Sequence, residues 1–243
     1  MAIAAITFDY WNTLMFEVAR SQFDRRLNAW LGLLDGAGFA TEQQHLTEVF
    51  DSVIKAHTDA WRRNEQFTAA EGAAHALELL GYHVPADLHD ELLETFLNAG
   101  RDAILQPTEC IGETLVGLRE RDVRIGIICD VGFTPSTHLR EHLSRHGLLD
   151  HFDGWSFSDE VGVYKPSPVI FHHAMSTLGV SDPSTMAHIG DLRRTDVAGA
   201  RAMGMTSVRY AGVFDDPGTP EEHEEGDVVI AHYSDLLPAL GLA

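Results

Sequence analysis

The sequence predicts an α/β fold, a doubly wound parallel sheet interrupted after its first strand by an all-helical insertion. Three observations carry this. Short apolar runs rich in β-branched residues recur, and several stop at an acid: Ile3 to Phe8 before Asp9, Arg124 to Cys129 before Asp130, and Met186 to Gly190 before Asp191. Helical patterns lie between the later runs, and strand–helix alternation at that spacing builds a parallel sheet with helices on both faces. Residues 17 to 100, by contrast, show helical spacing alone.

The elements follow in order. Ile3 to Phe8 is a buried strand, too short and too abruptly ended by Asp9 for a membrane span or signal sequence. In the insertion, Phe23, Leu27, Trp30, Leu31 and Leu34 form the apolar face of a first helix that ends at Gly36 and Gly38. Leu46, Val49, Phe50, Val53 and Ile54 mark a second helix. Ala73, Ala74, Leu77 and Leu80 mark a third that stops near Gly81. Leu88, Leu92, Leu93 and Phe96 mark a fourth that stops near Gly100. Helices are then expected near 110–121, 136–146, 167–179 and 194–203, with strands at 124–130, 154–159, 186–191, 206–210 and 228–230. The domains so defined are an α/β core of residues 1–16 and 101–243 and a helical insertion of residues 17–100.

Composition narrows the function. The 243 residues carry 17 Lys and Arg against 37 Asp and Glu, a net charge of -20. Such a chain is repelled by nucleic-acid backbones and anionic lipid surfaces, so neither is an expected partner. Two cysteines, Cys110 and Cys129, are too few for a disulfide framework or a four-thiolate zinc site, which predicts a reduced, cytoplasmic setting. Of the basic residues only Lys55 and Lys165 are lysine, so Lys165 stands out in a chain that otherwise uses arginine. From Tyr210 to Ala243 there are eight acids and no Lys or Arg, and the segment Asp215 to Asp227 reads as a solvated surface loop.

Ligands of open parallel sheets bind at the carboxyl ends of the strands, where Asp9, Asp130 and Asp191 fall, with Asp196 five residues beyond Asp191. Carboxylates crowded there repel one another, and a hard divalent cation such as Mg2+ relieves the repulsion. A single acid at a strand end is more simply a turn or cap residue; the set with its flanking sequence argues for a site.

That flanking sequence, ITFDYWNTL (6–14), IICD (127–130), VYKP (163–166) and HIGDLRRTDVAGARAMGM (188–205), resembles the haloacid dehalogenase superfamily in order and spacing along the whole chain. The resemblance implies a Rossmann-like core, a helical cap over residues 17–100, and a Mg2+-dependent hydrolase, most of whose relatives are phosphatases. It implies Asp9 as the nucleophile that forms an aspartyl-phosphate. It implies Asp9, Asp191, Asp196 and the backbone carbonyl of Trp11 as holders of Mg2+. Lys165 matches the basic residue that steadies the nucleophile and the transferring group. The substrate class implied is a small phosphorylated metabolite. Neither the particular substrate nor the oligomeric state follows from the sequence.

Two positions depart from the pattern. The usual phosphatase signature is Asp-x-Asp-x-Thr, and here Asp9-Tyr10-Trp11-Asn12-Thr13 places an indole where the second acid would protonate the leaving oxygen. A slow phosphatase, or one favouring leaving groups that need no proton, is expected. Asp130 and histidines of the cap are candidate substitutes for the acid. Cys129 stands where the resemblance expects a Ser or Thr that holds a phosphoryl oxygen. A thiol is a weak donor, so backbone N–H groups from Asp130 to Gly132 would share that work, or Cys129 is simple packing. Two alternatives follow. Trp11 invites comparison with 2-haloacid dehalogenases, which carry an aromatic there and attack carbon without a metal, although Gly190-Asp191 and Asp196 argue against that. A catalytically impaired binding protein is the other. His172 and His173 lie on one predicted helix and cannot both face one site. Arg193 and Arg194 either pair with the nearby acids or attract an anion. Arg20, Arg25, Arg26 and Trp61-Arg62-Arg63 are mostly solvated helix faces, one of which could meet an acidic substrate group.

Overall fold

A computed structural model describes residues 3–219 and 224–242. In chain order its elements begin with β1 (Ala5–Phe8), β2 (Met15–Glu17), α1 (Ser21–Gly36), α2 (Gln43–Arg62), α3 (Ala69–Leu79) and α4 (Ala86–Asn98). They continue with β3 (Leu105–Pro107), α5 (Ile111–Arg119), β4 (Arg124–Cys129), α6 (Ser136–Arg145), β5 (Gly154–Phe157), α7 (Ser158–Val161) and α8 (Pro168–Thr177). The last are β6 (Met186–Gly190), α9 (Ala198–Met203), β7 (Thr206–Tyr210), β8 (Val228–Ile230) and α10 (Leu236–Ala239). The chain divides into two compact units: residues 1–16, 105–130 and 143–243, and residues 17–104 with 131–142.

The first unit is the expected α/β structure. Six strands, among the described residues, form one parallel sheet in the order β5-β4-β1-β6-β7-β8. The register is continuous across the centre, with Phe8 level with Ile127 on one side and Ile189 on the other. β1 is wholly buried, as its largely apolar run requires of a central strand covered on both faces. Packed on the sheet, Ile170, Phe171, Ala174 and Leu178 of α8 and its C-cap meet Ile128 and Met186. Ser167 caps α8 by accepting the Val169 N–H at 3.4 Å, and Pro168 takes the first helical position, where its missing N–H costs nothing. β2 and β3 pair in a separate two-stranded sheet, which helical and strand periodicity could not signal at three residues each.

The second unit packs α1 to α4 around Leu27, Trp30, Leu46, Phe50, Leu77 and Phe96. The Trp30 ring meets Phe50 edge-on at 5.2 Å, and its indole N–H donates to the Leu92 carbonyl at 3.0 Å, so the buried tryptophan keeps no unmet donor. Thr68 and Glu71 form a reciprocal capping box at the start of α3. Arg26 is not a solvated or substrate-facing residue. It is buried, donates to the carbonyls of Phe96 at 3.1 Å and Phe133 at 2.7 Å, and lies over the Phe96 ring. Burial pushes its guanidinium down to about 10. It thereby ties segment 131–134 to α1 and α4, and this segment belongs to the helical unit. Arg63, by contrast, is exposed and pairs with Glu65, as expected of a solvated face.

The acidic segment after β7 is more than a solvated surface. Asp227 accepts from the Ser207 N–H at 2.9 Å, and Glu225 accepts from the Arg209 Nε at 2.6 Å and the Arg193 Nη2 at 2.8 Å. Asp215 accepts from Arg209 Nη1 at 2.7 Å, and Asp216 accepts the Arg193 N–H at 2.8 Å. Glu221 and Glu222 lie outside the described residues. The loop thus clasps β7 to the segment after β6, and Arg193 is committed to Glu225. Arg209 is 5% exposed at its side chain, whereas Glu225 and Asp215 are 41% and 73% exposed. Arg209→Ala is therefore expected to lower unfolding free energy by about 1–3 kcal/mol. The loss should be smaller at about 1 M salt, which already screens the exposed partners. Urea melts at low and high salt measure both effects; equal losses at the two salts would contradict the clasp.

Both cysteines are free, Cys110 exposed and Cys129 buried. Among the described residues no helix is long and apolar enough to cross a membrane.

Candidate active site

Parallel register brings the acids together. Because Phe8 is level with Ile189, Asp9 leaves β1 where β6 ends, and Asp191 follows immediately beside it. The Asp9 N–H donates to the Ile189 carbonyl at 2.7 Å, so the ladder continues through Asp9 itself. After Asp191 the chain makes a π-helical turn over Arg193–Val197, a widened turn of the kind found at functional sites, and it returns Asp196 toward β6. Gly190 permits this return, because a Cβ there would overlap the Asp196 carboxyl group. Asp9, Asp191 and Asp196 are all buried and offer one carboxylate oxygen each, all within 4.8 Å of one another.

Lys165 supplies the countercharge. It is buried, and its Nζ donates to Asp9 Oδ1 at 2.5 Å, to Asp196 Oδ1 at 2.6 Å and to the Ile128 carbonyl at 3.1 Å. The Asp130 carboxylate accepts the Lys165 backbone N–H at 2.8 Å and so fixes the base of that side chain. Lys55, the other lysine, is 78% exposed and pairs with Asp59 along α2. Of the two scarce lysines, Lys165 is the one buried among carboxylates.

One ammonium cannot balance three carboxylates. Burial, opposed by Lys165 and reinforced by Asp196, pushes the Asp9 carboxyl up to about 7. Burial, with Asp9 and Asp196 adding repulsion, pushes Asp191 well above the carboxylate range. Asp196 goes the other way. Burial opposes its charge, but Lys165 and His188 hold it well below the usual value. Burial would strip the Lys165 proton, and Asp196 and Asp9 keep it on. A dry cluster with this excess of negative charge fits a hard divalent cation. Asp9 and Asp191 are the members still short of countercharge. Asp196 is saturated: Oδ1 receives Lys165 and His188, and Oδ2 receives the Leu192 N–H at 3.1 Å and the Thr195 hydroxyl at 3.2 Å.

The other expected residues sit nearby with distinct environments. Trp11 lies in the turn after β1, bridged to Met15, its ring edge-on to Tyr10 at 5.0 Å. Cys129 is fully buried at the end of β4, its thiol pushed well up by burial and by Asp9, with Sγ 3.5 Å from the Asp130 carbonyl oxygen. His173 bonds Ser156 on β5 and takes no part in the cluster.

Three residues that sequence reasoning passed over belong to the site. Asn12 adopts φ 54°, a left-handed conformation that asparagine tolerates better than most residues, and its amide donates to Asp191 Oδ2 at 3.2 Å. His188 and Thr7 lie opposite one another on β6 and β1. The imidazole spans the gap from the Thr7 hydroxyl at 2.9 Å to Asp196 Oδ1 at 3.0 Å. A polar residue inside each of two buried strands was the available signal.

Comparison with known proteins agrees with this arrangement. A sequence profile of the haloacid dehalogenase-like hydrolases matches residues 3–204. The chain is 34% identical over 160 residues to bovine (Bos taurus) haloacid dehalogenase-like hydrolase domain-containing protein 3, covering 64% of this chain and 59% of that protein. The chain thus spans under two thirds of that relative's length. It is 28% identical to a glyceraldehyde 3-phosphate phosphatase of Methanopyrus kandleri, over 97% of this chain and 96% of the relative. Among solved structures it matches a HAD phosphatase from Thermococcus onnurineus with TM-score 0.67 and 26% identity, covering 98% of each chain. It also shares the fold of a 2-haloacid dehalogenase from Pseudomonas syringae, with TM-score 0.69, 22% identity and coverage of 98% and 97%. A six-stranded parallel sheet, an acid at the end of its central strand, a Gly-Asp at the end of the neighbouring one and a profile match over most of the length have one common source: the chain belongs to the haloacid dehalogenase-like hydrolase family.

Proposed function

We propose that the protein is a Mg2+-dependent phosphatase of a small phosphorylated metabolite, working through an aspartyl-phosphate on Asp9. The observation that carries this reading is the buried Asp9–Lys165 pair set beside Asp191 at adjoining strand ends. Asp9, Asp191 and the Trp11 carbonyl would hold the cation, with Asp196 acting through water or through Lys165. Bound there, Mg2+ neutralises the repulsion between the Asp9 carboxylate and an anionic phosphoryl group.

Lys165 holds Asp9 Oδ1, which leaves Oδ2 as the attacking oxygen. Oδ2 forms the bond to phosphorus as the bond to the leaving oxygen breaks, and Lys165 carries part of the charge on the transferring group. Water then cleaves the new phosphorus–oxygen bond, releasing phosphate and restoring the Asp9 carboxylate. Trp11 can neither protonate the leaving oxygen nor activate the water, so substrates with good leaving groups are favoured. Backbone N–H groups after Cys129 hold the phosphoryl oxygens, and Cys129 packs beneath them.

Trp11 favours one rival, a carbon-attacking dehalogenase-like hydrolase, but such chemistry gives no reason to bury Asp191 beside Asp9. The test is a panel of aryl, acyl, sugar and nucleotide phosphates assayed with Mg2+ and with EDTA. Mg2+-dependent phosphate release is expected, strongest on aryl and acyl phosphates. Release that EDTA leaves untouched counts against the metal-dependent reading. Halide release from a 2-haloacid would establish the rival. Tight binding of a phosphorylated compound without turnover would point to an impaired, binding role.

A further inference from the structure

We propose that His188 is a positioning residue of this site, with Thr7 as its anchor. It fixes the Asp196 carboxylate so that Asp196 and Asp9 hold the Lys165 ammonium between them. The kinetic part of the argument rests on the phosphatase reading.

His188 occupies the middle of a buried strand, a place where an apolar side chain would cost nothing. A buried polar side chain is tolerated only when its hydrogen bonds are made. Both are. Asp196 Oδ1, an acceptor 3.0 Å from Nε2, places a hydrogen on that nitrogen, and Nδ1 lies 2.9 Å from the Thr7 hydroxyl, which also lies 3.5 Å from the Ala187 carbonyl oxygen. Phe171 of α8 stands edge-on to the ring at 5.2 Å and 83° and limits its rotation. The ring is thus fixed at both nitrogens and on one face.

The oxygen that receives His188 is the oxygen that receives Lys165. With both donors on Oδ1, and with Leu192 N–H and Thr195 on Oδ2, the plane of the Asp196 carboxylate is determined. Without His188, Oδ1 keeps Lys165 alone, and the carboxylate is held less firmly against the ammonium. His188 is 1% exposed, too buried to touch a substrate. It acts through Asp196 and Lys165.

The test uses four variants of the full chain: Thr7→Val, His188→Leu, His188→Gln and the Thr7→Val/His188→Leu double variant. Valine keeps the β-branched shape and removes only the anchoring hydroxyl. Loss of an outer partner of this kind costs about 10- to 100-fold. His188→Leu is therefore expected to lose about that much in kcat with KM changed little. Glutamine, whose amide N–H reaches the same oxygen, should recover most of it. The double variant should be no worse than His188→Leu, because the two residues act along one path. Glutamine as impaired as leucine, additive losses, or a kcat loss that merely follows the fall in thermal midpoint would overturn the proposal. Nitrogen-15 NMR of the imidazole gives an arm independent of turnover. A hydrogen on Nε2 bonded to Asp196 is expected in the wild type, and a ring with its hydrogen on Nδ1 alone would also overturn it. If no phosphate ester is turned over while the ring is Nε2–H, the phosphatase reading has failed and the hydrogen-bonded anchor of Asp196 stands.

Discussion

Trp11→Asp is expected to raise kcat/KM for alkyl phosphates by about 10- to 1000-fold, while acyl and nitrophenyl phosphates change little. General acid assistance is worth roughly 10²–10⁴-fold, and a new carboxylate placed without evolved support recovers part of it. The prediction depends on no other group already doing the work in the α/β unit. Asp130 is committed to the Lys165 N–H, the Cys129 thiol is buried and pushed far above neutrality, and His188 is buried with its Nε2 on Asp196. An alkoxide leaves poorly without a proton, whereas a carboxylate or nitrophenolate leaves well. The wild type should therefore show a steep dependence of rate on leaving-group basicity, and the variant a shallow one. Steady-state rates on a matched alkyl and aryl series read the slope directly. A folded variant with an unchanged slope would mean that Trp11 is not standing in the acid's place.

The legible part of the molecule was what spacing and termination encode. Asp9, Asp191 and Asp196 could be placed together from the sequence because a short, mostly apolar run that stops at an acid puts that acid at the carboxyl end of a parallel strand. Lys165 stood out for a compositional reason, and its Nζ lies against Asp9. His188 and Thr7 did not stand out, because a lone polar residue in a buried strand looks the same whether it satisfies itself or orients a neighbour. Only the cross-strand register joins them. Arg26 misled for the opposite reason: on α1 it has the spacing of a surface residue, yet its partners Phe96 and Phe133 lie 70 and 107 residues away. The acidic loop misled similarly. Eight acids without a base in their own segment read as solvated, while the arginines that bind several of them come from Arg193, Arg201 and Arg209 earlier in the chain.

Asp191→Asn is expected to act in opposite directions on stability and function. In the wild type without a cation, Asp191 and Asp9 are buried acids with raised pKa values. For Asp9, whose ordinary value is 3.8 and whose folded value is about 7, the folded state holds a proton through the interval that the unfolded chain has already lost. Stability contributed by that proton is complete below the unfolded value and is lost as pH rises through the folded one. Metal-free protein should therefore lose stability between about pH 4 and pH 7 from this group, with Asp191 adding to the loss in the same direction. A cation bound by these carboxylates reverses the trend, because it selects their ionised forms, and Mg2+ should raise the thermal midpoint more at pH 8 than at pH 6. Asparagine at position 191 keeps the shape and removes a buried acid whose charge burial, Asp9 and Asp196 all oppose. In EDTA at pH 8 the variant should be more stable than the wild type by about 1–2 kcal/mol, a common gain when a functional strain is removed. It should also lose the Mg2+-induced shift and about 10³-fold in phosphatase turnover, since cation stabilisation of transition-state charge is worth several kcal/mol. Thermal melts in EDTA and in Mg2+ at the two pH values separate the effects. A variant less stable than wild type in EDTA would show that Asp191 stabilises the empty fold, through Asn12 for instance, and that the acids are not held together at a cost which a cation relieves.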